Sequence, residues 1–263
     1  MVTFIPSGLG ISRSVSMMNG QSFYDVILAP QYLHWLWSGF LITLVISACT
    51  VVLATLLGLI LAALRDSPQR WLSLPVVAYS SVFRNTPLLV QLFFWYFGAG
   101  QLLPSVVMQW LNTPHEWVIG GWTLAWPSFE FLAGLVGLTL YSAAFISEEI
   151  RAGIRGVASG QKQASQALGL SLWQSMRYVV LPQAVKIAMP PLLGQYMNII
   201  KNSSLTMAIG VAELSYASRQ VETETLKTFQ AFGVATLLYV LIIALMEGWG
   251  MWYQQRRRMQ ERY

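Results

Sequence analysis

The segment that decides the fold is residues 159–182, with the sequence SGQKQASQALGLSLWQSMRYVVLP. It is the longest stretch that combines helix-forming residues with enough polarity to leave a membrane, and apolar segments lie on both sides of it. Ser159 is suited to cap a short helix that runs through Leu168. Gly169 then supplies a residue that tolerates a positive φ, as the ends of helices often require.

A second helix is predicted immediately after the glycine. Ser171 and Gln174 have the S-x-x-Q spacing of a capping box. Pro182 is expected to stop this helix, because proline lacks a backbone N–H and clashes with the preceding turn. The segment therefore predicts a helix, a turn and a second helix. An ordinary polar loop between two membrane helices has the same composition, so composition alone assigns the segment no role.

The composition of the whole chain is that of a membrane protein. Of its 263 residues, 55% are hydrophobic and only 10% are charged, against about 25% charged in soluble domains. A single cysteine, Cys49, excludes a disulfide framework or a multi-thiolate metal site within one chain. The histidines, His34 and His115, have no neighbours that complete a metal or catalytic set. The net charge of +5 comes without a basic patch interleaved with aromatics, so nucleic acid is not an expected partner.

Five apolar segments are long enough to span a bilayer, which takes about 20 residues as a helix. The predicted spans lie within residues 35–64, 71–97, 124–154, 187–212 and 229–253. The second span is interrupted by the sequence RNTP, where Pro87 predicts a kink or a break. Pro190 and Pro191 are expected to help set the start of the fourth span. The fold class predicted from these features is an all-α membrane protein with five transmembrane helices.

The distribution of basic residues indicates which side of the membrane each loop faces. Loop 98–122 contains no lysine or arginine, and Arg219 and Lys227 after span four are outnumbered by the other clusters. The basic residues that follow spans one, three and five are Arg65, Arg70, Arg155, Lys162, Arg177, Lys186, Arg256, Arg257, Arg258 and Arg262. The positive-inside rule then places the N-terminus outside and the C-terminus in the cytoplasm.

This topology divides the chain into three parts. Residues 1–30 lack the features of a signal peptide and are expected to form an extracytoplasmic segment of unclear role. Residues 31–255 form the transmembrane domain, which includes a cytoplasmic loop at about residues 155–186. Residues 256–263 form a basic cytoplasmic tail.

Charged side chains within membrane spans are rare, so each one marks a candidate functional site. Arg84 and Lys201 lie about 13 or 14 residues inside the cytoplasmic ends of spans two and four, or roughly 20 Å at helical rise. Transporter substrate sites tend to lie at mid-depth beside broken helices. The candidate substrate-binding residues are therefore Arg84, Asn85, Thr86, Lys201, Asn202 and Ser203. The alternative is that Arg84 or Lys201 pairs with Glu148 and binds no substrate.

A second candidate pair lies near the inner end of span three. Glu148 and Arg151 are three residues apart and share one helical face, whereas Glu149 lies on another. Their position favours a gate or an ion pair between helices over direct contact with a substrate.

The polar segment resembles a loop of the permease subunits of bacterial ATP-binding-cassette (ABC) importers. The stretch from Gln163 to Pro182 has the spacing of the E-A-A…G…I-x-L-P loop of that family. Gln163 stands where the family has glutamate, and Ser165 stands where it has its second alanine. Any contact that relies on that glutamate must therefore be made otherwise in this chain.

Other motifs are similar to the branch of these permeases for polar amino acids. They include FRNTPLLVQ at residues 83–91, the E-x-x-R of Glu148 and Arg151, and KNS at residues 201–203. Together with WLWSGF at residues 35–40, they are most similar to glutamate/aspartate permease subunits. An acidic amino acid carries two carboxylates, so the two mid-depth cations agree with such a substrate.

The resemblance implies a type I ABC importer permease fold in the cytoplasmic (inner) membrane of a bacterium. It implies that a short cytoplasmic helix docks into an ATPase subunit through Gln163, Ala164, Ser165, Ala167, Leu168 and Gly169. The implied partners are that ATPase, a second permease subunit (identical or paralogous), an extracytoplasmic substrate-binding protein, the polar amino acid and membrane lipid.

The chain itself is not expected to be an enzyme. It contains no G-x-x-x-x-G-K-[ST] phosphate loop, so it is expected to hold no cofactor, with ATP and Mg²⁺ bound by the separate ATPase. An ion-coupled secondary amino acid transporter is the alternative, because it would use the same intramembrane charges. Such transporters often contain paired repeats, and none is evident in the five predicted spans.

Overall fold

Helices form most of the part of the chain that the computed structural model describes, which is residues 28–113, 116–119, 122–125 and 127–260. The elements in chain order are α1 (Pro30–Arg65), α2 (Arg70–Asn85), α3 (Leu88–Phe93), α4 (Ser105–Asn112), β1 (Glu116–Ile119), β2 (Trp122–Ala125), α5 (Phe129–Arg155), α6 (Ser159–Ala167), α7 (Leu172–Ser175), α8 (Leu181–Ser203), α9 (Leu214–Thr225) and α10 (Thr228–Gln260). The predicted extracytoplasmic segment up to residue 27, as well as His115, lies outside the described residues.

Three helices in this part of the chain are long and apolar enough to cross a membrane. They are Pro30–Arg65, Phe129–Arg155 and Thr228–Arg256, and they correspond to the first, third and fifth predicted spans. The second predicted span is divided between α2 and the apolar stretch Leu88–Leu102. The fourth is divided between α8 and a 3-10 helix, Ser204–Ile209. The count of five spans therefore stays a prediction.

The break predicted at Pro87 is confirmed. Thr86 is extended, with φ −106° and ψ 134°, and separates α2 from α3. The side chain of Gln91 reaches back across the break and donates hydrogen bonds to the carbonyls of Phe83 at 2.9 Å and Thr86 at 3.0 Å. These bonds satisfy carbonyl groups that an uninterrupted helix would have paired with backbone N–H groups.

The prediction that Pro182 stops the second cytoplasmic helix is wrong. Helix α7 continues through a π-helical turn, Met176–Val180, directly into α8. Pro182 is the second residue of α8, in its first turn, where a proline is tolerated. Pro190 and Pro191 lie inside α8 rather than at the start of a span, so that expectation is also wrong.

Helices α1, α5 and α8 pack closely at glycine positions. A Cβ atom at Gly58 of α1 would lie 2.7 Å from the Cγ2 atom of Ile146 on α5. A Cβ atom at Gly153 of α5 would lie 2.7 Å from the carbonyl oxygen of Ala184 on α8. Membrane helices associate through such small residues, because close backbone approach increases van der Waals contact.

We expect Gly153→Ala to lower the thermal stability of the purified protein in detergent. The added methyl group would meet backbone, which cannot turn away as a side chain can, and overpacking of this kind costs about 1–3 kcal/mol. Gly194→Ala on α8 is the matched control, because a Cβ atom added there would have no other atom within 4 Å. That control should be neutral or slightly stabilising, since alanine favours helix over glycine. Equal melting temperatures for the two variants would contradict the packing argument.

The remaining elements surround this centre. Helix α9 packs against α1, and α10 packs against α9 through Ala231 and Ala235, which are buried with Leu214 and Val221. β1 and β2 pair as an antiparallel hairpin in the segment before α5. The helix of the third predicted span begins at Phe129, after the hairpin and within the predicted range.

Candidate functional site

An ion-pair network lies where α1 and α5 end. The Oδ1 atom of Asp66 accepts hydrogen bonds from Arg151, at 3.0 Å from Nε and 2.9 Å from Nη2, and from Arg155 Nη2 at 3.3 Å. Arg151 also donates from Nη1 to the Oε2 atom of Glu148, at 3.2 Å. The side chain of Arg151 is 6% exposed, so these two carboxylates supply the charge that a buried guanidinium requires.

Glu148 also connects the network to α1 and α2. Arg65 pairs with its Oε1 atom. The Nη1 atom of Arg84 lies 3.9 Å from the same oxygen, within ion-pair range but too far for a hydrogen bond. Arg84 therefore lies beside Glu148, as the alternative of an Arg84–Glu148 ion pair requires. Of the three arginines around this carboxylate, Arg84 is the one held most weakly.

Arg84 borders a cavity of about 360 Å³, here called the Arg84 cavity. Its lining residues are Arg65, Val77, Ser80, Ser81, Arg84, Asn85 and Phe145. The guanidinium of Arg84 lies 5.4 Å from the centre of the Phe145 ring, a cation–π distance. The Cβ atoms of a helix tilt toward its N-terminus, so Arg84 reaches from the end of α2 back toward the ends of α1 and α5.

The six candidate substrate residues do not share one cavity. Arg84 and Asn85 line the Arg84 cavity, but Thr86 does not, and its hydroxyl donates to the Val82 carbonyl at 2.8 Å. The other three candidates occupy the last turn of α8 and do not line this cavity. Among them the Ser203 hydroxyl is buried and donates to its own helix.

Lys201 does not form the ion pair with Glu148 that the alternative interpretation of the sequence gave it. Its side chain is exposed on the isolated chain, and it makes no ion pair with Glu148 or with any other residue that the structure describes. Lys201 is therefore available to another chain or to a ligand.

Residues 159–182 form the predicted helix, turn and helix. Ala158, not Ser159, is the N-cap of α6, and no side chain caps this end, so the predicted capping role of Ser159 is wrong. The other end is as predicted, because Gly169 has a φ of +84°. The Gly169 N–H donates to the Gln166 carbonyl at 2.9 Å, and the Leu170 N–H donates to the Ser165 carbonyl at 3.2 Å. This pair of bonds is a Schellman motif.

The residues of α6 divide between an inner and an outer face. Ser165 is buried, and its hydroxyl hydrogen-bonds to that of Ser175 on the next helix. The serine at this position, where the family has alanine, therefore joins α6 to α7, and residues 159–175 are called the elbow here. The exposed face carries the other candidates for ATPase contact, namely Gln163, Ala164, Ala167, Leu168 and Gly169.

Large apolar side chains extend this exposed face onto α7. Leu168 is 84% exposed, Leu172 is 69% exposed and Trp173 is 67% exposed. The predicted capping box is confirmed, because Ser171 and Gln174 bond reciprocally at the start of α7. The cap fixes the start of α7, which carries Leu172 and Trp173, and exposed large apolar side chains of this kind are typical of a protein–protein contact.

Sequence reasoning missed one buried acid, Glu213, which lies just after the fourth predicted span. Its carboxylate is fully buried and accepts hydrogen bonds from the Tyr239 hydroxyl at 2.7 Å, the Tyr216 N–H at 2.9 Å and the Thr43 hydroxyl at 3.4 Å. Burial raises the pKa of the Glu213 carboxyl, and these hydrogen bonds lower it in part. Glu213 is the N-cap of α9, which only the structure shows, because glutamate is not among the residues preferred at that position.

Long apolar helices, a helix break beside Arg84 and an exposed elbow agree with a membrane permease subunit. Residues 54–259 match the family model of the binding-protein-dependent transport system inner membrane component, and the chain belongs to this family. The family seen as a resemblance in the sequence is therefore confirmed, and the chain is a transport component rather than a catalytic one.

Curated relatives are amino acid permeases. The chain is 36% identical over 214 residues to the glutamate/aspartate import permease protein GltJ of Escherichia coli strain K12. The aligned region covers 81% of this chain and 83% of GltJ. The chain is 34% identical over 222 residues to the probable glutamine ABC transporter permease protein GlnM of Bacillus subtilis strain 168, with 83% and 91% covered.

Solved structures share the fold. A crystal structure of an amino acid ABC transporter with histidines superposes with a TM-score of 0.71 at 28% identity, over 86% of this chain and 95% of that one. An inward-facing structure of the MetNI methionine ABC transporter superposes with a TM-score of 0.69 at 18% identity, over 87% and 99%, and supports the fold alone.

Proposed function

We propose that this chain carries glutamate and aspartate across the bacterial cytoplasmic membrane by alternating access, as the transmembrane subunit of an ABC importer. Relatives are named for glutamate/aspartate and for glutamine, so the family alone does not choose between them. The observation that favours an acidic substrate is the excess of positive charge beside the Arg84 cavity. There Arg65, Arg84, Arg151 and Arg155 share the carboxylates of Asp66 and Glu148.

The same proposal includes the topology and the partners. The chain crosses the membrane five times, with the broken second and fourth segments facing a substrate path and the C-terminus in the cytoplasm. A separate ATPase binds ATP and Mg²⁺ and docks against the exposed face of α6. A second permease subunit and an extracytoplasmic binding protein complete the importer. Arg84, Asn85 and Lys201 contribute to substrate binding on this path.

Reconstitution into liposomes tests the proposal. The chain, its ATPase and its binding protein are expected to take up glutamate and aspartate only when ATP is supplied. Glutamine is the matched competitor, because it has the size of glutamate without the second carboxylate. Uptake that follows an ion gradient and ignores ATP would instead indicate a secondary transporter, for which the family and the relatives give no support. Preference for glutamine would contradict the acidic substrate.

We expect Arg84→Lys to lower glutamate transport roughly tenfold, the equivalent of about one charge-assisted hydrogen bond. Lysine keeps the charge but loses the planar fork that grips a carboxylate. Assembly with the ATPase, checked by copurification, should be unchanged. If Arg84 serves only to pair with Glu148, exchanging the two residues in one double variant should restore transport that each single change removes. That rescue would contradict a substrate role for Arg84.

A further inference from the structure

The Arg84 cavity contains a buried hydroxyl group without a partner. Ser80 lines the cavity, its side chain is 3% exposed, and its Oγ atom has no hydrogen-bond partner among the described residues. Other buried serines of the described helices, such as Ser147 and Ser203, avoid this state by donating to a carbonyl of the preceding turn. A buried polar atom that lacks a protein partner requires an explanation, and a water, an ion or a ligand in the adjoining cavity would supply one.

The guanidinium of Arg84 also has hydrogen-bonding capacity that the described residues do not use. It makes no hydrogen bond to any residue in the described part of the chain, although it carries five N–H donors. Glu148 gives Arg84 no hydrogen bond, because the Nη1 atom of Arg84 lies 3.9 Å from Oε1, the oxygen that Arg65 contacts, while Arg151 binds Oε2. Arg84 is thus held beside a carboxylate that two other arginines already occupy.

The charges around the cavity do not balance. Four guanidinium groups meet two carboxylates in the network, which leaves two positive charges in excess. The cavity of about 360 Å³ has room for a small amino acid with some water, since one water takes about 30 Å³ of liquid volume. Volume, unpaired donors and charge all point to an anion with several acceptor atoms.

We propose that the Arg84 cavity binds a carboxylate of the transported amino acid, and that this carboxylate replaces Glu148 as the partner of Arg84. Arg65 and Arg84 provide the positive charge, and the Ser80 hydroxyl donates a further hydrogen bond. Glu148 is then a competitor that holds Arg84 when the cavity is empty. The inference rests on the proposed function, and it adds Ser80 and Arg65 to the substrate site.

The proposed roles of Ser80, as a donor to the ligand, and of Glu148, as its competitor, predict opposite effects of their variants on ligand affinity. Removing the Ser80 hydroxyl takes away one hydrogen bond to a charged ligand, so Ser80→Ala should weaken binding roughly tenfold. Glu148→Gln removes the competing charge, so it should tighten binding roughly threefold to tenfold. A residue that merely pairs with Arg84 for structural reasons would not increase affinity when it is neutralised.

The experiment measures ligand binding by calorimetry to the purified complex of the chain with its ATPase. The probes are L-glutamate, L-glutamine, glutarate (which has both carboxylates but no amino group) and inorganic phosphate. Ser47→Ala is the matched control, because the Ser47 hydroxyl is also buried and lacks a partner in the described chain but does not line the Arg84 cavity. Glutamate affinity should fall in Ser80→Ala, rise in Glu148→Gln and stay unchanged in Ser47→Ala.

Each other outcome has a distinct meaning. Wild-type transport of glutamate together with unchanged affinity in both Ser80→Ala and Glu148→Gln overturns the carboxylate site and leaves the proposed function standing. Phosphate that binds as tightly as glutamate, and is lost in Ser80→Ala, overturns the amino acid assignment in favour of a phosphate-bearing ligand. A complex that binds glutarate with the expected pattern but transports no acidic amino acid supports the carboxylate site and contradicts the proposed function.

Discussion

Gly169→Val is expected to abolish substrate transport while leaving the amount of folded chain unchanged. Gly169 has a φ of +84°, a conformation that costs a residue with a Cβ about 1–2 kcal/mol, and more when the side chain is β-branched. Valine would drive φ negative and break the two hydrogen bonds that end α6. The exposed face of α6 would then point away from α7, and the contact proposed for the ATPase would be lost.

The measurement is ATP-dependent uptake in liposomes, with ATPase copurification recorded in parallel. Gly169→Asn should retain most activity, because asparagine tolerates a positive φ better than other residues with a Cβ. Gly160→Ala is the control within the same helix, since its φ is not positive and no atom lies within 4 Å of the added Cβ. Normal transport by Gly169→Val at normal protein level would contradict the coupling role of this elbow.

Arg151→Gln is expected to lower the free energy of unfolding by about 3–5 kcal/mol. Arg151 is buried and bonds both Asp66 and Glu148, so its removal leaves two partly buried carboxylates with less compensation. Both carboxylates lie where α1 meets α5, and the contact between these helices should loosen. The melting temperature in detergent is expected to fall by several degrees, as should the yield of inserted protein.

Arg155→Gln is the matched control for this prediction. Arg155 pairs with the same Asp66 oxygen at 3.3 Å, but its side chain is 65% exposed. Exposed ion pairs contribute about 0–1 kcal/mol, so this variant should melt close to the wild type. If the two variants melt at the same temperature, the burial of Arg151 does not carry the stability assigned to it.

Features that depend on one or two neighbouring residues were predictable from the sequence. The break at Pro87 follows from a missing N–H, the positive φ at Gly169 from a missing Cβ, and the capping box at Ser171 from the spacing of two side chains. All three are confirmed because these effects act within a single turn of backbone. The long apolar helices were predictable for a similar reason, since hydropathy is a sum over local sequence.

Features that depend on contacts between distant segments were not predictable in this way. Helical rise put Arg84 and Lys201 at similar depth, but the cavity that holds Arg84 does not include Lys201. Glu213 was not recognised, because its partners Thr43 and Tyr239 lie on helices far away in the sequence. The orphan hydroxyl of Ser80 is visible only once the cavity beside it is known.

Helix α7, the π-helical turn and α8 form one continuous helical segment. Its length is roughly 45 Å at helical rise, and it begins at the exposed side chains of Leu172 and Trp173. Had Pro182 ended the helix, a hinge there would separate α7 from α8. With the wider turn in place, Trp173 and Lys201 belong to one continuous helical path, and Pro190 and Pro191 inside α8 are the places where that path can bend.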